Sequence, residues 1–182
     1  MKKISFICLF ITPFIFSCDL NDKIYDYYND CSEELIDYKT IRLIVQNKEF
    51  NFPINTFIAE NNNEYKTGLM CRRNLPLKID GMFFKYKEEQ NRGFWMHKTY
   101  FPLTVIYFDK SGNSVGKAEM YPCTREFYES KKNFEFRCLE ESLNYIPHEK
   151  YINVLELKND YLYIDEINSL GKDEKLKLII KN

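Results

Sequence analysis

Ile41-Arg42-Leu43-Ile44-Val45-Gln46, then Asn47-Lys48, then Phe50-Asn51-Phe52-Pro53-Ile54 read as two strands joined by a tight turn. The first run is rich in β-branched residues, and Phe50, Phe52 and Ile54 keep period two in a second run that continues to Ala59. Pro53 has no N–H to give to a ladder, which limits its strand to an edge or a bulge. The same pattern returns at residues 81–86, 92–96, 103–109, 114–121, 151–157 and 176–180, with the turn Asp109-Lys110-Ser111-Gly112-Asn113 joining two of the strands. Asn61-Asn62-Asn63-Glu64 can cap a short helix that Gly68 ends. Asn159-Asp160 can cap a second, with Tyr161, Ile164 and Ile167 on one face until Gly171. The expected fold is mainly β, a compact barrel or sandwich with two short helices and no internal repeat.

Length and charge narrow the classes. The 182 residues make one compact domain with short appendages, and 26 basic against 27 acidic side chains leave a net charge of -1. Such a balance offers no bulk attraction to phosphate backbones, so no nucleic-acid partner is expected. Apolar residues at 45% with 29% charged residues supply a core and exclude a mostly disordered chain.

The N-terminus reads as an address. Lys2 and Lys3 precede a mostly apolar run from Ile4 to Phe16, interrupted by Pro13 and closed by Ser17-Cys18. Thirteen residues rise only about 20 Å as a helix, short of a hydrocarbon core of roughly 30 Å, so a permanent span fits poorly. The run resembles a bacterial lipoprotein signal, although Phe16 is bulkier than usual at its place. That resemblance implies a signal peptide over residues 1–17, acylation of Cys18, and a domain held to the bilayer of the cell envelope outside the cytoplasm. Residues 18–39 then form an acidic tether, with seven acids between Asp19 and Lys39, and residues 40–182 form the β domain. Tyr25, Tyr27 and Tyr28 interrupt the tether's polarity and could instead pack on the domain or the headgroup region.

Of six cysteines, Cys8 leaves with the signal and Cys18 takes lipid, leaving Cys31, Cys71, Cys123 and Cys138 with three pairings open. Export permits disulfides, and Cys123 with Cys138 would close a loop rich in Lys and Glu, a staple worth about 3 kcal/mol at that length. The alternative there is two free thiols in a mobile loop. Cys31 with Cys71 is the residual pair and would pin the tether to the domain. Cys71 also precedes Arg72 and Arg73, whose charge could stabilise a reactive thiolate.

Gly68-Leu69-Met70-Cys71-Arg72, Leu75-Pro76, Gly81-Met82-Phe83-Phe84, Phe94-Trp95-Met96-His97-Lys98-Thr99, Pro102-Leu103 and Val154-Leu155-Glu156-Leu157 follow one another in an order and spacing that resembles the DUF192 family, over roughly residues 41–180. The resemblance implies an exported or lipid-anchored envelope protein with a mainly β fold and an activity that the family's name leaves open. It also implies a cysteine pair where Cys123 and Cys138 stand. The chain departs from the family pattern at His97-Lys98, where Lys-Asn is usual, and at Thr104, where Asp is usual. A site that needs that amide and that carboxylate is altered in this chain.

Arg72, Trp95, Met96, His97 and Thr99 are the candidate binding residues, since a guanidinium fork beside an indole face and a hydroxyl suits a small anionic ligand. The alternative is structural, with Arg72 paired, Trp95 and Met96 in the core and Thr99 bonded to backbone. Gly112-Asn113-Ser114-Val115-Gly116 matches the nucleophile-elbow string but leads into a strand where the elbow requires a helix. His97 and His148 stand some fifty residues apart with no zinc spacing, so no metal or other cofactor is expected. Met70, Met82, Met96, His97 and Met120 could gather around Cu(I), although Met in apolar strands usually fills core. The function read from these residues is a non-catalytic envelope module that binds a small ligand or an envelope protein. The alternatives are a redox protein or enzyme using Cys71, and a structural component of an envelope assembly.

Overall fold

In the computed structural model the described residues are 31, 35–171 and 174–180. The signal segment, Cys18 and the Tyr25, Tyr27, Tyr28 cluster lie outside them. The chain divides into two compact units, Met1–Ser32 and Glu33–Asn182, and the fold belongs to the second. Its described residues form seven strands: β1 (Thr40–Gln46), β2 (Asn51–Ala59), β3 (Gly81–Gln90), β4 (Leu103–Phe108), β5 (Ser114–Met120), β6 (Tyr151–Lys158) and β7 (Lys177–Ile180). With them go helices α1 (Asn62–Thr67), α2 (Lys131–Ser142) and α3 (Ile164–Ser169), and a 3-10 turn at Leu143–Tyr145. The strands make one curled sheet, a half-barrel, in the order β5-β4-β6-β3-β2-β1-β7. At one corner the β4–β5 turn meets β7: Ser114 N–H donates to the Leu176 carbonyl and Leu178 N–H to the Gly112 carbonyl, each at 2.8 Å.

The opening hairpin forms as its residues dictate. The Asn47 side-chain oxygen accepts from Glu49 N–H and Phe50 N–H and fixes the turn, and β1 pairs β2 antiparallel from Thr40↔Phe57 to Gln46↔Asn51. Pro53 is tolerated because β2 pairs its other neighbour, β3, only over Thr56–Ala59, so Pro53 has one ladder to serve. The β2–β3 pairing is parallel, which requires a crossover. Residues 60–80 supply it, beginning with α1, whose N-cap Asn61 accepts from Asn63 N–H and Glu64 N–H and which Gly68 ends with φ 49°.

β4 is buried along its whole length, as are Gly81–Phe84 of β3 and Val154–Leu157 of β6. Leu103, Val105 and Tyr107 of β4 face one cluster with Met82, Phe84, Met96, Met120 and Val154. Ile106 and Phe108 face a second with Leu43, Val45, Phe52, Phe83, Leu155 and the α3 residues Ile164 and Ile167. The alternation is that of a pleated strand, and near-continuous apolar runs are the sign of burial on both faces. Lys117 holds the second cluster's helix by donating to the carbonyls of Ile167, Asn168 and Leu170 at the end of α3.

Three expectations need correction. Residues 92–96 are not a strand. A Cβ at Gly93 would stand 2.1 Å from the Ser142 carbonyl oxygen, so this stretch lies flat against the end of α2, and its only ladder contact in the described residues is the bridge His97↔Cys123. The second expected helix is shorter, starting at Ile164 with Tyr161 buried in the turn before it. The Lys- and Glu-rich loop contains α2, a third α-helix. Ser130 Oγ caps it by accepting from Asn133 N–H, and it buries Phe134, Cys138 and Ser142 at four-residue intervals. Its other side exposes Phe136 and Leu139, and Leu143 is exposed just past its end, so apolar residues all round the helix blur the periodicity.

Cys123 and Cys138 are bridged, with Cα atoms 5.7 Å apart. Arg137, one residue before Cys138, binds Glu129 at 2.8 Å and Glu141 at 3.2 Å and donates to the Thr124 carbonyl, so the loop is held by charge as well as sulfur. Replacing both cysteines by serine is expected to lower stability by about 3 kcal/mol in urea titration, from the loop length alone. Loss of less than about 0.5 kcal/mol would show that the ion pairs suffice.

Candidate functional site

Two segments of the family-like strings meet through their backbones. The first is the end of the crossover, residues 68–76; the second is the run 94–102 that leads into β4. Cys71 N–H donates to the Lys98 carbonyl at 2.8 Å. Both residues are left-handed, with φ 61° at Cys71 and 57° at Lys98, the only non-glycine residues so placed among those described. Such backbone costs on the order of 1 kcal/mol for most side chains and least for Asn and Asp. The family's usual Asn at position 98 therefore suits the backbone conformation there, and Lys98 adopts it without that advantage. Thr99 N–H and Cys123 N–H both donate to the Met96 carbonyl, closing the turn beside the disulfide.

The sequence-derived candidates divide within this frame. Trp95, Met96, His97 and Thr99 share the second segment. The His97 ring lies 4.7 Å from both the Trp95 and the Phe134 ring centroids, so it is clasped between an aromatic of its own irregular segment and one of α2, with Trp95 38% exposed. Met96 and Thr99 are buried. Arg72 faces elsewhere. Its guanidinium lies over the rings of Tyr38 (5.1 Å) and Phe57 (4.9 Å) and donates to the Ile36 carbonyl. Burial lowers its pKa, opposed by the negative potential of Tyr38 and Asp37. These contacts clamp the last residues of the expected tether to the domain: Tyr38 is buried, its hydroxyl donates to the Gly68 carbonyl, and Ile58 N–H donates to the Lys39 carbonyl.

Other expectations are placed as plainly. Cys31 and Cys71 are both disulfide-bonded, so Cys71 presents no thiolate and the nucleophile alternative loses its group. Thr104, at the departure from the family's Asp, lies on the opposite sheet face, where its hydroxyl donates to Asn168 Oδ1 at 3.0 Å and ties β4 to α3. Ser114 Oγ accepts from Leu176 N–H and opens β5, as a strand residue rather than an elbow. Met82, Met96 and Met120 are core. Among the described residues no group of three His, Cys, Asp or Glu could hold a metal ion.

Below the motif segments lies a cavity of about 370 Å³, walled by Asn74 and Leu75 from the first, Phe101 and Pro102 from the second, and Lys158, Asn159 and Asp160 where β6 ends. Its size is within the range of small-ligand sites. The Lys158 ammonium lies 3.2 Å from the Asp160 carboxylate, and Asn159 Oδ1 is buried and accepts no hydrogen bond. A larger cavity of about 440 Å³ is lined by β5, residues 144–149, Leu170, Gly171 and residues 174–176, with His148 in its wall and no lining residue from either motif segment.

One residue of chemical interest escaped the sequence reading. Glu156, in the Val154-Leu155-Glu156-Leu157 string, pairs with Met82 on one side and Val105 on the other, on a strand buried on both faces. It is 4% exposed, and burial pushes its pKa up to about 8, so the carboxyl is largely protonated at neutral pH. A charge-type residue inside a doubly buried strand was the available signal. Because the unfolded chain loses this proton near 4.5 and the folded chain near 8, the folded state holds the extra proton between those values. Stability is therefore fully present below about pH 4.5 and falls as pH rises towards 8, by at most about 1.4 kcal/mol per pH unit. Glu156→Gln should match the wild type near pH 5 and exceed it near pH 8 in urea midpoint; parallel pH profiles for the two would disprove the buried acid.

The family model DUF192, "Uncharacterized ACR, COG1430", matches residues 44–164. No curated protein is significantly similar to the chain. Among solved structures, a candidate transcription regulator from Sinorhizobium meliloti 1021 superposes with a TM-score of 0.57 at 17% identity, covering 81% of this chain and 98% of that one. A protein of unknown function from Novosphingobium aromaticivorans DSM 12444 superposes with a TM-score of 0.56 at 17% identity, covering 81% of this chain and 89% of that one. At such identity these two likenesses speak for the fold alone.

Proposed function

Starting from the DUF192 family, to which the chain belongs, we propose that this protein is a lipid-anchored module of the bacterial cell envelope that binds a small ligand without transforming it. Cys18 carries the lipid, the bilayer is its first partner, and the β domain stands outside the cytoplasm. Four oxidised cysteines, Cys31, Cys71, Cys123 and Cys138, support that location, because cytoplasmic thiols are kept reduced.

The observation that carries the binding reading is the cavity of about 370 Å³ between Leu75 and Pro102, since the two segments that bear the family's strings converge to wall it. This differs in detail from the sequence expectation: the segments are the same, but the cavity is lined by the residues after Arg72 and Thr99. Arg72 positions the entering chain and the Trp95–His97–Phe134 stack buttresses the second segment.

Two experiments test the two halves. Cys18→Ala should abolish palmitate incorporation and release the protein from the membrane fraction, whereas unchanged labelling would remove the anchor. Native mass spectrometry of the protein extracted from its own envelope should show a retained small molecule. Leu75→Trp, which fills the cavity, should lose the adduct while the melting temperature moves by only a few degrees. An adduct that survives Leu75→Trp, or a wild-type protein with none, overturns the binding reading.

A further inference from the structure

We propose that the outer face of α2 is a second contact with the bilayer. Phe136, Leu139 and Leu143, with Phe127 and Tyr128 from the loop before the helix, enter the boundary between headgroups and acyl chains, and the helix lies in the plane of the membrane. The inference rests on the Cys18 anchor of the reading above and adds which side of the domain meets the lipid.

The apolar exposure is concentrated rather than scattered. Among the described residues thirteen large apolar side chains are exposed, and seven of them fall between Tyr121 and Ile146. Single exposed apolar residues need no explanation, whereas a cluster marks a contact surface. Phe136, Leu139 and Leu143 are 59%, 55% and 63% exposed, at spacings of three and four. They therefore share one side of the helix and its 3-10 extension, away from the side that buries Phe134, Cys138 and Ser142. The Phe127 and Tyr128 rings, 4.5 Å apart and edge to face, add the aromatic character of membrane interfaces. Charges beside the stripe carry both signs, Lys131 and Lys132 against Glu135 and Glu140, so burial of apolar surface drives the contact and anionic headgroups are not required.

The occupant follows from where the chain enters the domain. Ile36 and Tyr38 pack into the cluster that α2 covers with Phe134 and Cys138, on one face of the sheet, whereas α3 covers the other. Seventeen residues separate Cys18 from Ile36, a span of at most about 60 Å. An acyl chain on Cys18 thus brings the bilayer to the side on which α2 lies. It also makes docking an event within one molecule, for which a patch too small to bind vesicles unaided suffices.

The test places the acylated full chain, labelled with palmitate, in phosphatidylcholine vesicles whose acyl chains carry bromine, and reads tryptophan quenching. Phe136→Trp, Leu139→Trp and Leu143→Trp each replace an exposed side chain. Leu162→Trp is the control, at a position 78% exposed just before α3, which covers the other face of the sheet. After subtraction of the wild-type Trp95 signal, the α2 probes should lose at least half of their fluorescence relative to vesicles without bromine, and the control less than a tenth. Melting temperatures within a few degrees of the wild type qualify each probe, and three positions ensure that one misfolded variant leaves the result readable. Palmitate-labelled protein whose α2 probes are quenched no more than the control overturns the inference and leaves the anchor standing. If that protein self-associates and Phe136→Glu abolishes the association, the stripe belongs to a second copy instead. A chain that takes up no palmitate removes the anchor and this inference together.

Discussion

Over three adjacent strands, the whole of β4, Val154–Leu157 of β6 and Gly81–Phe84 of β3, the sheet has no face to give to water, and much else in the domain follows from covering that stretch. One face is covered by the curl of the sheet itself, with α3 packed among Leu43, Phe52, Phe83 and Leu155. The other has no second sheet to meet. Its cover is assembled from the crossover that makes β2 and β3 parallel, the irregular run before β4, and α2. Irregular cover needs fastening, because its backbone lacks the repeated ladder of a sheet. The Cys71–Lys98 hydrogen bond, the Cys123–Cys138 bridge and the Arg137 ion pairs supply it. The family-like strings map mainly onto that cover and the strands beneath it, which is why they coincide with the walls of a cavity rather than with a row of polar residues.

Much of the fold was legible because it is local. Asn47 makes its own turn, Asn61 caps its own helix, and the alternation of Phe52 and Ile54 survives as the pleat of β2, although Phe50 falls just before the strand and is exposed. What misled were places where tertiary packing overrides spacing. Phe94, Trp95 and Met96 are strand-forming residue types, but Gly93 just before them lies against the Ser142 carbonyl, and among the described residues they pair with no strand. The helix α2 was hidden because Phe136 and Leu139 break its polar side, although Ser130 as a cap and Arg137–Glu141 at i,i+4 were there to be read.

The site was half legible for the same reason. Trp95, Met96, His97 and Thr99 do gather in one segment, whereas Arg72 lies apart from them over the rings of Tyr38 and Phe57. Side-chain direction at the ends of irregular segments is set by contacts distant in sequence, Tyr38 and Phe57 for Arg72, and no spacing rule reports those. Glu156 shows the converse. Its burial follows directly from the strand's place at the centre of the sheet, so a carboxyl that titrates near 8 could have been anticipated from the run Val154 to Leu157. As a protonated acid it can donate a hydrogen bond that an ionised glutamate cannot.

Phe134 and Cys138 press from α2 onto the cluster that holds Met82, Met96 and Met120, each at most 2% exposed. The helix is therefore a shield for thioethers. A reductant that opened the bridge would loosen the shield, and an oxidant arriving afterwards could convert those methionines to sulfoxides too polar to return to the core. Damage of that kind would outlast reoxidation of the cysteines, so the order in which the two chemical stresses arrive, and not only their dose, decides whether a molecule recovers.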